Sequence, residues 1–164
     1  MLVYPKVAVE ENKWLFKTEY FDAFPTFELE MLSRGYYVAN VENANRRCLE
    51  EDTERQYAFA KFSHKEFGLN EKCMTVGMSC GGMQSVYLGA KYPNAVACMY
   101  LDAPVLNLLS CPCGLGKGTT EMYEEFVTAT GKTIFQMVKE GCDHHAHGLS
   151  DNTPLIEFAF DYYK

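Results

Sequence analysis

Ser79 stands in Gly77-Met78-Ser79-Cys80-Gly81-Gly82, a G-x-S-x-G pentapeptide with one further glycine. A serine hydroxyl is a weak nucleophile until a neighbouring base removes its proton. The setting is what gives this serine a chemistry. Cys73-Met74-Thr75-Val76 before it is strand-like, and an amphipathic, helix-like segment follows. Strand, tight turn and helix together make a nucleophile elbow, and the chemistry it names is acyl transfer through serine. A phosphate-binding turn is the competing reading. The glycine spacing does not fit G-x-G-x-x-G, and no Walker lysine follows.

The matching base is sought in Gly141-Cys142-Asp143-His144-His145-Ala146-His147, which holds three of the chain's four histidines. In the chain order Ser, acid, His of this chemistry the base falls here. His144, directly after the turn, is the expected general base, with His145 and His147 as reserves. The expected acid is Asp102 in Leu101-Asp102-Ala103-Pro104, which would orient the imidazole and stabilise its cation. An aspartate capping a turn ahead of Pro104 reads equally well, and Asp143 and Asp151 are further candidates. The first oxyanion donor is expected at the backbone N–H of Cys80, the residue after the nucleophile. A second is expected from an earlier loop, Lys6 to Lys17. Trp14 in that stretch would line the pocket or, more commonly for a lone tryptophan, anchor the core.

Two other patterns compete for function. Cys111, Cys113, Cys142, His144 and His147 could ligate a metal, but their spacing matches no familiar zinc module. Cys111-Pro112-Cys113-Gly114-Leu115-Gly116-Lys117-Gly118 resembles a phosphate loop without the strand-to-helix context and Lys-Ser/Thr register that such a loop needs. It is expected to begin a lid or pocket segment, 104–130. No metal and no cofactor is expected.

These residues need elements to hold them. Strands are predicted at Leu2–Tyr4, Tyr36–Val41, Cys73–Gly77, Val96–Leu101 and Thr133–Val138, and Trp14 to Phe24 is left unassigned. Helices are predicted over Thr26–Arg34, Cys48–Phe67, Gly81–Lys91, Glu121–Thr130 and Pro154–Tyr163. Phe59, Phe62 and Phe67 are expected to face inward, as are Met83, Val86, Tyr87 and Ala90. Alternating strands and helices mean an α/β fold, a three-layer α/β/α sandwich on a mostly parallel sheet. Active sites lie at the carboxyl ends of such strands. Ser79, Asp102 and the histidine cluster each follow a predicted strand, so they are expected at one edge of the sheet.

The composition agrees with one domain, 1–164. Apolar residues make up 48% and charged residues 23% of 164 residues, the balance of a globular protein. A net charge of −7 argues against nucleic acid or an anionic membrane surface as partner. No apolar run is long enough to span a bilayer, and the N-terminus lacks a signal-peptide layout. The seven scattered cysteines are read as reduced thiols. The expected location is the cytoplasm.

Trp14-Leu15-Phe16-Lys17-Thr18-Glu19-Tyr20-Phe21, Arg34-Gly35-Tyr36-Tyr37-Val38-Ala39, the elbow, and Gly141 through Leu149 together resemble bacterial α/β-hydrolases of the prolyl-oligopeptidase/esterase-like type. The resemblance covers nearly the whole chain in segments. It implies a Ser-Asp-His hydrolase acting on a small-molecule ester, among them acetylated or feruloylated carbohydrates, or on small peptides. Ser79 matches the nucleophile and His144 the base. The chain departs from the pattern in two places. It starts at what resembles the third strand of the family. It also passes from Thr130-Gly131-Lys132 straight into the last predicted strand, without the family's Gly-Asp-x-Asp acid segment, as after an internal deletion. Asp102 is then the stand-in acid. The alternative is a catalytically impaired module of the same fold, a homo-oligomer through exposed sheet edges.

Overall fold

A computed structural model describes residues 1–46, 50–105, 128, 131–142 and 144–164. Five strands form one sheet: β1 (Leu2–Val3), β2 (Trp14–Lys17), β3 (Tyr37–Ala39), β4 (Cys73–Met78) and β5 (Val96–Asp102). Among the described residues four α-helices accompany them: α1 (Thr26–Ser33), α2 (Glu50–Phe67), α3 (Cys80–Lys91) and α4 (Thr153–Tyr162). The strand order is β1-β3-β2-β4-β5. β1 is antiparallel to β3, and the other pairings are parallel. The α/β architecture expected from the alternation of elements is the one observed.

The unassigned aromatic stretch supplies the middle of the sheet. All four residues of β2, Trp14-Leu15-Phe16-Lys17, are buried. A central parallel strand is covered on both faces, so it reads as an unbroken apolar run and shows no alternation. Leu15 joins α1 and α4 in a core with Phe27, Met31, Met74, Val76, Leu155 and Ile156. Trp14 and Phe16 point to the other face, into a core with Ala60, Leu69, Cys73 and Leu88 of the α2–α3 side. Trp14 is therefore a core residue, its indole N–H donating to the Asn70 carbonyl at 2.9 Å.

Three expectations are corrected. Thr133–Val138 forms no strand: Phe135, Met137 and Val138 stand exposed. Its β-branched and aromatic composition favours a strand, but a strand exists only where a neighbour accepts its ladder. In α2 only Phe59 keeps the expected direction, 5.6 Å from Phe16, while Phe62 and Phe67 pair with each other in solvent. The buried face of α2 is instead Asp52, Thr53, Gln56, Ala60 and Ser63. It meets a polar network in which Gln56 donates to the Asn43 side chain (2.9 Å) and Asn43 to Gln84 (3.0 Å). In α3 the buried face is Gly81, Gly82, Gln84, Ser85 and Leu88, whereas Tyr87 and Ala90 are exposed. Both helices turn small or amide-bearing residues toward each other and the sheet, so apolar periodicity picked the wrong face. The predicted helix Glu121–Thr130 and most of the predicted lid lie outside the described residues, as do Cys111, Cys113 and Asp143. Among the described residues no helix is long and apolar enough to cross a membrane.

Candidate active site

The register of the sheet brings the first two site residues together. Met78 pairs with Asp102 at the carboxyl ends of β4 and β5. Ser79 therefore begins its turn level with Asp102, and its N–H donates to the Asp102 carbonyl at 3.0 Å. Ser79 adopts φ 53° and ψ −119°, in the left-handed half of the map that non-glycine residues avoid. The neighbours over-determine this conformation. The Ser79 carbonyl accepts from Gly82 N–H (3.0 Å) and Val105 N–H (3.1 Å). A Cβ at Gly77 would run into the Gly81 carbonyl, and one at Gly82 would lie 2.5 Å from the Pro104 Cβ. Two glycines are thus demanded by the closeness of α3 to β4 and to the segment after β5. Strain held in this way turns the serine side chain off the end of the strand.

Cys80 is the first residue of α3. Its N–H is one of the helix's amino-terminal donors that no helical carbonyl can accept. Burial first, then the neighbouring Cys80 thiol, pushes the Tyr20 pKa up.

The histidine segment reaches the same place without a strand behind it. His144 Nε2 lies 2.9 Å from Ser79 Oγ, within the reach required of a base and its nucleophile. His144, His145 and His147 form a triangle of edge-to-face rings with centroids 5.1 Å apart. Asp102 meets this cluster at His147, with Nδ1 to Oδ1 at 3.6 Å. The rest of its carboxylate is taken up elsewhere. Lys139 Nζ lies at 2.8 Å from Oδ1, while Gly148 N–H (2.5 Å) and the Tyr100 hydroxyl (3.2 Å) donate to Oδ2. Burial works against this carboxylate, but Lys139 and the Gly148 N–H outweigh it and hold its pKa below the ordinary value. Burial also lowers the His147 pKa, only partly offset by Asp102, so its imidazole favours the neutral form. Phe24 packs edge-on against His147 at 5.5 Å. The structure thus brings Ser79, His144 and Asp102 to one edge, with His147 and not His144 against the carboxylate.

The loop expected to give the second oxyanion donor is at the wrong end. Val9 N–H bonds the Gly35 carbonyl and Asn12 bonds Gly68 and Asn70, which places Lys6–Lys13 at the amino ends of the strands, and Trp14–Lys17 is β2 itself. The segment beside the elbow is the one after β2, where Thr18 Oγ1 donates to the Gly81 carbonyl at 2.7 Å. Below it, Lys17 is fully buried and ion-paired with Glu28, reaching also the Met78 sulfur and the Ala23 carbonyl. Burial raises the Glu28 pKa against the pull of Lys17. Asp151, a further acid candidate, stands just ahead of α4 and accepts from Thr153 N–H at 2.9 Å. Lys139 was missed in the sequence as a site residue, and His147 was read there as a reserve base and a possible metal ligand, not as the histidine nearest Asp102. A lysine five residues ahead of the histidine run carries no motif.

No family model matches the chain, and no curated protein matches it. Solved structures do. An acetyl xylan esterase from Aspergillus awamori aligns over 63% of this chain and 46% of its own, with a TM-score of 0.51 and 13% identity. The chain has the α/β-hydrolase fold. An esterase from Pyrococcus furiosus (76% of this chain, 55% of its own, TM-score 0.47, 14% identity) and an α/β-hydrolase from a lagoon-sediment metagenome of Mar Chica, Morocco (79% and 56%, 0.43, 14%) also align. The chain spans about half the length of these proteins. At such identities the likeness is one of fold, and chemistry must be argued from the site.

Proposed function

We propose that this α/β-hydrolase-fold chain is a serine hydrolase acting on small ester or acyl substrates. The observation that carries the reading is the 2.9 Å contact of His144 Nε2 with Ser79 Oγ, on a serine held at φ 53°. Ser79 donates its proton to His144 as Oγ attacks the ester carbonyl carbon. The developing oxyanion is met by the Cys80 N–H and the positive end of α3. Collapse breaks the bond to the leaving alcohol, which takes the proton from His144. Water, deprotonated by the same imidazole, then attacks the acyl-serine; the acid is released as the imidazolium returns the proton to Ser79 Oγ. The three-histidine cluster and Asp102 hold this imidazole, and Asp102 acts through the segment rather than by facing His144.

The test is active-site labelling with a fluorophosphonate. One equivalent is expected on the native chain and none on Ser79→Ala, with turnover of p-nitrophenyl acetate lost in the same variant. No labelling of the folded native chain would overturn the reading.

A second reading has its own observation: Lys139 neutralises the carboxylate that should orient the base. A triad without a working acid loses on the order of 10⁴ in rate while keeping residual catalysis. An impaired module of the fold would label slowly or not at all, so the labelling rate separates the two.

A further inference from the structure

The histidine segment poses a positioning problem. In folds of this class catalytic side chains are carried at strand ends, whose backbone is fixed on both sides by ladders. Here residues 131–139 run outside the sheet, and 141–150 hold no regular element among the described residues. His144 nevertheless stands in hydrogen-bond contact with Ser79. Something must tie the segment to the sheet edge.

Lys139 makes that tie. An ammonium has three donors and no acceptor, and the Lys139 ammonium faces three acceptors. These are Asp102 Oδ1 at 2.8 Å, the Ala146 carbonyl at 3.0 Å and the Gly148 carbonyl at 3.4 Å. The Gly148 N–H returns to the other Asp102 oxygen. One lysine thus closes a ring from the end of β5 through the segment on both sides of His144. Between its attachment points lie Gly141, at φ 72°, and the three imidazoles. The same carboxylate has a rival partner. The His147 side chain is 5% exposed, and among the described residues its Nδ1 makes no hydrogen bond, although Asp102 Oδ1 is only 3.6 Å away. An orphaned buried ring nitrogen beside a carboxylate is costly. It persists here because the carboxylate is already committed to Lys139.

We propose that Lys139 is a positioning residue: it latches the histidine segment to Asp102, holds His144 at Ser79, and keeps Asp102 from pairing with His147. The proposal rests on the hydrolase reading for its effect on rate, but the latch itself is a matter of geometry. The charged and titratable groups around it are Asp102 and Tyr100 from β5, with Lys139, His144 and His145 from the histidine segment. The segment after β2 packs the Phe24 ring edge-on against His147.

Removing the ammonium leaves Asp102 uncompensated beside His147, which favours the imidazolium. In Lys139→Met the proton titration of the His147 ring, followed by NMR, is expected to move upward by roughly one pH unit. Fluorophosphonate labelling of Ser79 is expected to slow roughly tenfold, since a base displaced by a fraction of an ångström loses its in-line contact. Lys139→Arg keeps the charge and is expected to hold the titration near the native value. A lysine with a merely structural role would lower stability in Lys139→Met and leave the His147 titration where it was, and that result would overturn the proposal. So would native-rate labelling of that variant. If the native chain itself takes no label, the hydrolase reading falls and the His147 titration alone decides the latch. Should Lys139→Met not fold, Lys139→Gln is read in the same way.

Discussion

Ser79 and Asp102 illustrate two ways of being exceptional. Ser79 is strained, at φ 53°, and the strain is carried by glycines that cannot take a side chain. Asp102 is a buried carboxylate satisfied by a lysine, a backbone N–H and a phenol. Its folded pKa is below the unfolded value of about 3.9. The carboxylate therefore contributes stability that is fully present above about pH 4 and is lost as pH falls through the lower folded value. Urea unfolding of the native chain and Asp102→Asn, compared at several pH values, is expected to show a gap that is widest near neutrality and closes under acid. A gap independent of pH would show that the anion is not what the latch uses. The serine and the histidine run were legible in the sequence because each type carries a known chemistry at a known spacing. Which histidine Asp102 would face was not legible, because it depends on where an irregular segment comes to rest.

At the scale of the element, α2 and α3 show why an apolar pattern can mislead. Met83, Val86, Tyr87 and Ala90 have ideal spacing, yet Tyr87 is 56% exposed while Leu88 is 0% exposed. The side facing β4 must admit the chain closely, so it is built from Gly81, Gly82 and Ser85, with Gln84 reaching the polar network of Asn43 and Glu19. Leu88→Ala is expected to cost about 2–5 kcal/mol by removing core contacts. Tyr87→Ser, though a larger change, is expected to stay within about 0.5 kcal/mol. Chemical denaturation of both variants checks the assignment, and a larger loss for Tyr87 would reverse it. The turn before α3 was legible because its glycines are demanded by that same closeness.

At the scale of the molecule, the end of α4 is tied to the amino ends of β2 and β4. The Tyr163 hydroxyl accepts from Trp14 N–H at 3.0 Å and donates to the Lys72 carbonyl at 2.5 Å. Its ring packs against Tyr36, and the Lys13 ammonium donates to its carbonyl at 2.9 Å. Tyr163→Phe leaves the buried Trp14 N–H without a partner and is expected to cost about 1–3 kcal/mol, read from the urea midpoint at constant slope. An unchanged midpoint would mean that α4 docks by apolar contact alone. By itself the sequence determined the α/β alternation, the elbow and the chemical kinds of the site residues, because propensity, glycine spacing and functional groups are local properties. Only the tertiary structure decided that Trp14–Lys17 is a central strand, that Thr133–Val138 is none, and that Lys139 takes the Asp102 carboxylate beside His147. Each of these depends on which neighbour is available to accept a hydrogen bond or cover a face, and that is settled by packing between residues far apart in the chain.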